Sequence, residues 1–407
     1  MASGPNEHLT AEALAARTGA SVERIADLTH RGVLTASEAG RYEPGDIHRI
    51  RAIDAFEAAG VPLDALVAAQ QIGRVDFAYY DELHQPPGTP STRTYNEFRA
   101  ALGAAGDTLP ALFAAFGLAE PDGASHLDLE DELLLADLVA SIAATGQPDL
   151  AIRVVRLYGE ATRMASEGAL EVYAEAAGRF GAELAGLPRA AEYERLFVPW
   201  SRIARSAPGL ASWLTARHIS HAIDAYSVDA TEAILEEQGL VPERTATEPG
   251  VAFVDLTGFT RLSVERGDEA AAGIALRLGE LARAAAQRHD GRLVKLLGDG
   301  VLLRLPDAHR AVKAVLDLLD SLADAGLPAG HAGIHAGPLI EREGDVFGRS
   351  VNLAARVSDA APSGEVYVTS EVAGRLGAGR WTVEAVGPAE LQGVGQVELY
   401  RVLRSTS

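Results

Sequence analysis

At Gly250 the periodicity of this chain changes, and that change limits its possible folds more than any other feature. Beyond it, apolar runs of strand length alternate with longer amphipathic runs. Val251-Ala252-Phe253-Val254-Asp255 reads as a short apolar strand, and a helix follows over roughly Asp268 to His289. Arg292 to Leu296 and Val301 to Leu305 read as two strands around the turn Leu297-Gly298-Asp299-Gly300. A helix covers Ala308 to Ala325, a strand Ala329 to Ala336, a helix lies within Val346 to Asp359, and Glu365 to Thr369 is a further strand.

The first six of these elements run β-α-β-β-α-β, the ferredoxin-like order. The expected fold class is therefore α+β, with a C-terminal ferredoxin-like domain over residues 251–404 preceded by an all-α region. Thr10 begins a capped helix that ends at Gly19, and Ser21 caps a second, Val22 to Arg31, stopped by Gly32. Asp46 is expected to cap a third, Ile47 to Ala59, and Val61-Pro62-Leu63 starts a fourth. Helix, turn, helix, small wing, helix over residues 1–75 resembles the winged helix-turn-helix of the MerR regulators. Gln85 to Pro90 is a loop, and residues 91–240 form a helical unit broken at Pro110, Pro121-Asp122-Gly123, Gly146-Gln147-Pro148 and Gly186-Leu187-Pro188. Residues 241–250 are a polar linker bounded by Pro242 and Pro249.

Composition narrows the function classes. A net charge of −21 makes the chain a poor general partner for nucleic acid or an anionic membrane. No cysteine is present, so disulfides and thiolate metal sites are excluded. Met1 to Leu9 lacks the basic and apolar parts of a signal peptide. The longest apolar run, Leu133 to Ala144, is short and carries Asp137, so no membrane span and a cytoplasmic location are expected.

Three segments carry chemistry. In Phe253-Val254-Asp255-Leu256-Thr257-Gly258-Phe259-Thr260 a strand ends in a carboxylate and turns through glycine into a helix start. Backbone N–H groups there can cradle phosphate oxygens, with Asp255 holding a metal against them. Alone, Asp255 reads equally well as a helix cap. In Lys295-Leu296-Leu297-Gly298-Asp299-Gly300 a carboxylate sits at a hairpin tip, which alone is an ordinary Asp-Gly turn. Asp255 and Asp299 together, on adjacent strand ends, offer the oxygen ligands that Mg²⁺ takes alongside substrate phosphates. In the third segment, Asp345 to Arg356, Asn352 and Arg356 are four apart and share one helix face. A lone pair of this kind reads as a solvated face.

In this order and spacing the three segments resemble the class III adenylyl and guanylyl cyclases, over about Pro249 to Leu403. The resemblance implies a role for each side chain. Asp255 and Asp299 match the two metal-binding aspartates, for two Mg²⁺ (or Mn²⁺). Lys295 and Asp345 match the base-selecting pair, Asn352 the residue that positions the ribose, and Arg356 the arginine that stabilises charge on the reacting phosphate. Leu256, Thr257, Gly258, Phe259 and Thr260 form the loop that holds the terminal phosphates. A Lys donor facing N1 and an Asp acceptor facing N6 complement adenine, whereas guanine mispairs both, at about 1–3 kcal/mol each. The implied substrate is therefore ATP rather than GTP. The short connection Gly344 to Gly348 is similar to that of the bacterial c-subtype. One complete set per chain implies a head-to-tail homodimer with two equivalent sites. Gln392 sits where many relatives carry a phosphate-holding lysine.

The half before Gly250 is expected to regulate the enzyme. His218 and His221, three apart, fit one helix face better than half a metal site. DNA binding through Ser21 to Arg31 is disfavoured, because Glu23, Asp27, Glu38, Glu43, Asp46 and Asp54 interleave with the arginines. The rival reading is a DNA-binding regulator whose nucleotide-sensing C-terminal domain has lost its activity.

Overall fold

The computed structural model describes residues 8–73, 75, 77, 84, 88–184, 198–241, 248–377 and 381–405. The expected features at Gln85-Pro86-Pro87, Gly186-Leu187-Pro188 and the centre of the linker, 242–247, lie outside them. The chain divides into two compact units, Met1–Ala230 and Thr231–Ser407.

The first unit opens with four short helices. In α1 (Ala11–Thr18) the Thr10 hydroxyl accepts from Ala13 N at 3.2 Å, and Gly19 ends the helix at φ 77°. Ser21 caps α2 (Val22–His30) in the same way, accepting from Arg24 N at 3.1 Å. These helices bury Leu14, Ile25 and Leu28 against Ile47, Ile50 and Ile53 of α3 (Asp46–Ala58), with Leu63 and Leu66 of α4 (Leu63–Gln71). Asp46 does not cap α3 as expected. It is the first helical residue, buried, with its carboxylate accepting from Glu43 N at 3.0 Å and paired with Arg49 at 3.1 Å.

The helical pattern then yields to a pair of strands, a departure from the all-α expectation. β1 (Pro90–Thr94) pairs antiparallel with β2 (His126–Asp128), and Arg17 from α1 reaches Gly88 O at 2.8 Å and Asp128 Oδ1 at 2.9 Å. Thr94 ends β1 and starts α5 (Tyr95–Ala101) with a capping box to Glu97. Pro110 lies in the first turn of α6 (Leu109–Phe116), where proline's missing N–H is harmless. Further along the described residues come α7 (Leu129–Ala144), α8 (Pro148–Leu184) and α9 (Val198–Glu237). No helix among the described residues is long and apolar enough to cross a membrane.

The second unit is built on a seven-stranded sheet. Its elements are β3 (Gly250–Leu256), α10 (Phe259–Arg266), α11 (Asp268–Gln287), β4 (Arg292–Leu297), β5 (Gly300–Leu305), α12 (Ala308–Asp324) and β6 (Gly330–Ala336). Then come β7 (Ile340–Arg342), β8 (Asp345–Phe347), α13 (Arg349–Ala360), β9 (Val366–Thr369), α14 (Ser370–Arg375), β10 (Trp381–Leu391) and β11 (Gly395–Arg404). The strand order is β10-β11-β9-β6-β3-β5-β4. β3 pairs antiparallel with both β5 and β6, and β9 joins β6 in parallel.

Period-two alternation sorts the side chains of the central strands. Ala252, Val254 and Leu256 of β3 and Ala332, Ile334 and Ala336 of β6 share one core with Leu278 and Ala282 of α11 and Val315 and Leu318 of α12. Val251 and Phe253 face the other way, toward Val351 and Ala354 of α13. Asp255 is next in that second register. α13 lies close over β6 because Gly333 has no side chain: a Cβ there would stand 2.0 Å from Ser358 N.

Candidate active site

β3 and β5 pair as far as Asp255↔Gly300, which places the last polar residue of one strand beside the β4–β5 hairpin tip. Gly298 takes φ 73° in that tip, and Asp299 follows it, half-buried. Asp299 O accepts from Leu256 N at 3.0 Å, tying the hairpin to the strand that carries Asp255. A Cβ on Gly300 would fall 2.0 Å from Asp255 Oδ1, so glycine there makes room for the carboxylate.

Burial holds the Asp255 carboxyl above its ordinary value. The hydrogen bond from Ser358 Oγ to Asp255 Oδ2, 3.1 Å, and the neighbouring His331 oppose the rise; the charges of Asp299 and Asp359 add to it. A desolvated carboxylate under the charge of a second one is an arrangement that a divalent cation relieves. Both donors are hard oxygens, as Mg²⁺ or Mn²⁺ prefers. Among the described residues no group of three or more His, Cys, Asp or Glu side chains could hold a metal by itself. The pair therefore fits an ion that takes its remaining ligands from a substrate and water.

The segment after Asp255 turns through Gly258 at φ 74° into α10. Leu256 is buried in the core, and Thr257 N donates to Ala329 O at 2.8 Å. Leu256 and Thr257 thus use their N–H groups inside the fold. Of the expected loop, Gly258, Phe259 and Thr260 stand at the start of α10, where the first N–H groups of a helix have no partner within it.

Lys295 and Asp345 come together from distant parts of the chain. Lys295 Nζ donates to Asp345 Oδ2 at 2.6 Å, and Val346 N donates to Asp345 Oδ1 at 2.8 Å. The Lys295 hydrogen bond lowers the Asp345 carboxyl below its usual value, and burial opposes it only in part. A bulge aims the lysine: Leu293 pairs with Leu303 but Lys295 with Leu302, leaving Val294 as the extra residue. Val294 packs with the α13-side core, and Lys295 takes the register of Leu302 on that same face. The β7–β8 hairpin that carries Asp345 is fastened to β4 and β5 through Glu341, which accepts from Arg292 Nη2 at 3.0 Å and Arg304 Nε at 3.1 Å. Sequence reasoning does not reach this clamp, because charged residues on short strands read as solvated.

Asn352 and Arg356 lie on the exposed face of α13, opposite Val351, Ala354 and Ser358. Arg356 Nη1 donates to Asp359 Oδ2 at 2.8 Å. Gln392 is exposed at the turn between β10 and β11. In the first unit, the arginines in and just after α2 are engaged internally: Arg24 with Asp54 and Glu57, Arg31 with Asp27 and Asp64. His218 and His221 are exposed on α9.

The family described as Adenylate and Guanylate cyclase catalytic domain matches residues 241–404. The chain is 30% identical over 302 residues to the pH-sensitive adenylate cyclase MT1302 of Mycobacterium tuberculosis (strain CDC 1551 / Oshkosh), covering 72% of this chain and 73% of that protein. It is 30% identical over 297 residues to an adenylate cyclase of Streptomyces coelicolor, covering 70% and 72%. Among solved structures it is similar to the adenylyl cyclase CyaB from P. aeruginosa, with a TM-score of 0.35 and 23% identity over 39% of this chain and 94% of that one.

Proposed function

The chain belongs to the adenylate and guanylate cyclase catalytic-domain family, and on that premise we propose that it is an adenylate cyclase, forming 3′,5′-cyclic AMP and pyrophosphate from ATP. The observation that carries the choice of base is the Lys295–Asp345 pair at 2.6 Å, a cation and an anion held side by side. An ammonium donor and a carboxylate acceptor fit N1 and N6 of adenine, and guanine presents the opposite pattern. The order β6-β3-β5-β4 supports reading the centre of this unit as ferredoxin-like.

In this reading Asp255 and Asp299 hold the two metal ions. When bound, Mg²⁺ or Mn²⁺ supplies positive charge that acidifies the ribose 3′-hydroxyl and offsets the phosphate charge. The protein's own contribution is placement. Lys295 and Asp345 fix the base, Asn352 orients the ribose, and the N–H groups of Gly258, Phe259 and Thr260 face the terminal phosphates. The 3′-oxygen forms a bond to the α-phosphorus as its proton leaves, and the bond from that phosphorus to the pyrophosphate oxygen breaks. Arg356 stabilises charge on the reacting phosphate. Asn352 and Arg356 are exposed on α13, which supports a head-to-tail homodimer in which they serve a site completed by the partner's aspartates. The first unit is the regulatory half. With Arg24 and Arg31 engaged by neighbouring acids, a sensing or dimerising use of its MerR-like helices is favoured over DNA binding.

A competition tests the base assignment. With equal ATP and GTP and Mg²⁺, the full chain is expected to form cyclic AMP in large excess, read by mass spectrometry. Cyclic GMP as the main product would overturn the role given to Lys295 and Asp345.

A further inference from the structure

Ser358 lies on α13, two residues beyond Arg356 and six beyond Asn352, but on the opposite, buried face. It is fully buried at 0% exposure. Its hydroxyl is 3.1 Å from Asp255 Oδ2 and 3.4 Å from Phe253 O, so the proton it donates serves the strand that carries the carboxylate. Two glycines permit this meeting. A Cβ on Gly333 would stand 2.0 Å from Ser358 N and push α13 away, and a Cβ on Gly300 would stand 2.0 Å from Asp255 Oδ1.

We propose that Ser358 is a positioning residue for the metal-holding carboxylate, fixing Asp255 so that Oδ2 is bound within the fold and Oδ1 is the oxygen presented to the ion. The proposal rests on Asp255 being a metal ligand, as read above. Oδ2 is engaged by the serine, while Oδ1 lies over Gly300, directly after Asp299 in the chain. Without the hydroxyl, a half-buried carboxylate would lose the side-chain donor on Oδ2 and turn more freely between rotamers. A partner that orients a ligating group is worth roughly 10–100-fold in metal affinity. The placement has a further consequence. One helix touches Asp255 through Ser358 and carries Asn352 and Arg356 on its outer face, so a displacement of α13 acts on the metal-holding and nucleotide-holding groups together.

The test is Mn²⁺ binding by the full chain, followed by loss of the free-ion signal in electron paramagnetic resonance, with Asp255→Ala as background. Ser358→Ala is expected to weaken Mn²⁺ binding about tenfold. Ser358→Cys, which keeps a weak S–H donor, is expected to fall between it and wild type. The Mn²⁺ midpoint for cyclic AMP formation should shift in parallel, while the KM for ATP at saturating Mn²⁺ stays put. Wild-type Mn²⁺ binding by Ser358→Ala would overturn the proposal while leaving the metal site standing. So would a fall in kcat with an unmoved Mn²⁺ midpoint. If Ser358→Ala does not fold, Ser358→Cys decides by the same two readings. Wild-type Mn²⁺ binding by Asp255→Ala would overturn both the metal site and the proposal.

Discussion

A carboxylate poised for a cation destabilises the fold that holds it until the cation arrives. Burial raises the Asp255 carboxyl above its ordinary value, so its charged form is disfavoured in the folded chain. The sign follows from linkage: the stability this group contributes is fully present below its unfolded pKa and is lost as pH rises through the raised folded value. In the metal-free protein, raising the pH toward 7 therefore draws this contribution down. Asp255→Asn, which mimics the neutral form, should therefore melt at a higher temperature than wild type at pH 7 in chelator. The gap should close as pH falls toward 4. A variant less stable than wild type at pH 7 would contradict the burial argument.

At the scale of elements, the contact between α13 and β6 matters most, because it carries Ser358 to Asp255 and leaves Asn352 and Arg356 outside. Gly333 is the hinge of that packing. Gly333→Ala places a Cβ 2.0 Å from Ser358 N and 2.5 Å from Ala354 O, both backbone atoms that cannot rotate aside. Overpacking of this kind costs about 1–3 kcal/mol. The urea midpoint should fall accordingly, and cyclase activity should fall further than stability because the helix is displaced from the site. Wild-type activity in Gly333→Ala would show that α13 need not sit where it does. The elements also show how far sequence reaches. Apolar runs such as Val251 to Val254 and Val301 to Leu305 announce buried strands, and Gly298-Asp299-Gly300 announces a tight turn, so the carriers of Asp255 and Asp299 were legible. The β10–β11 hairpin was not, because its exposed residues, with Glu384, Glu390 and Glu398 among them, carry little apolar signal. Nor was the bulge at Val294, which depends on the pairing partner, nor Ser358, whose role exists only once Gly333 lets the helix approach.

At the scale of the whole molecule, the proposed reaction is shared between two chains. Asp255→Ala and Arg356→Ala should each be inactive alone. Mixed and allowed to exchange subunits, they should regain up to about a quarter of wild-type activity, since a mixed head-to-tail dimer has one intact site. No recovery, with exchange verified, would contradict the shared site. The most direct test of the central claim remains product formation itself: cyclic AMP made from ATP by the purified full chain with Mn²⁺, beside Asp255→Ala. Cyclic AMP is expected from the wild type and essentially none from the variant. Equal product from both, or none from a correctly folded wild type or from its isolated second unit, would contradict it.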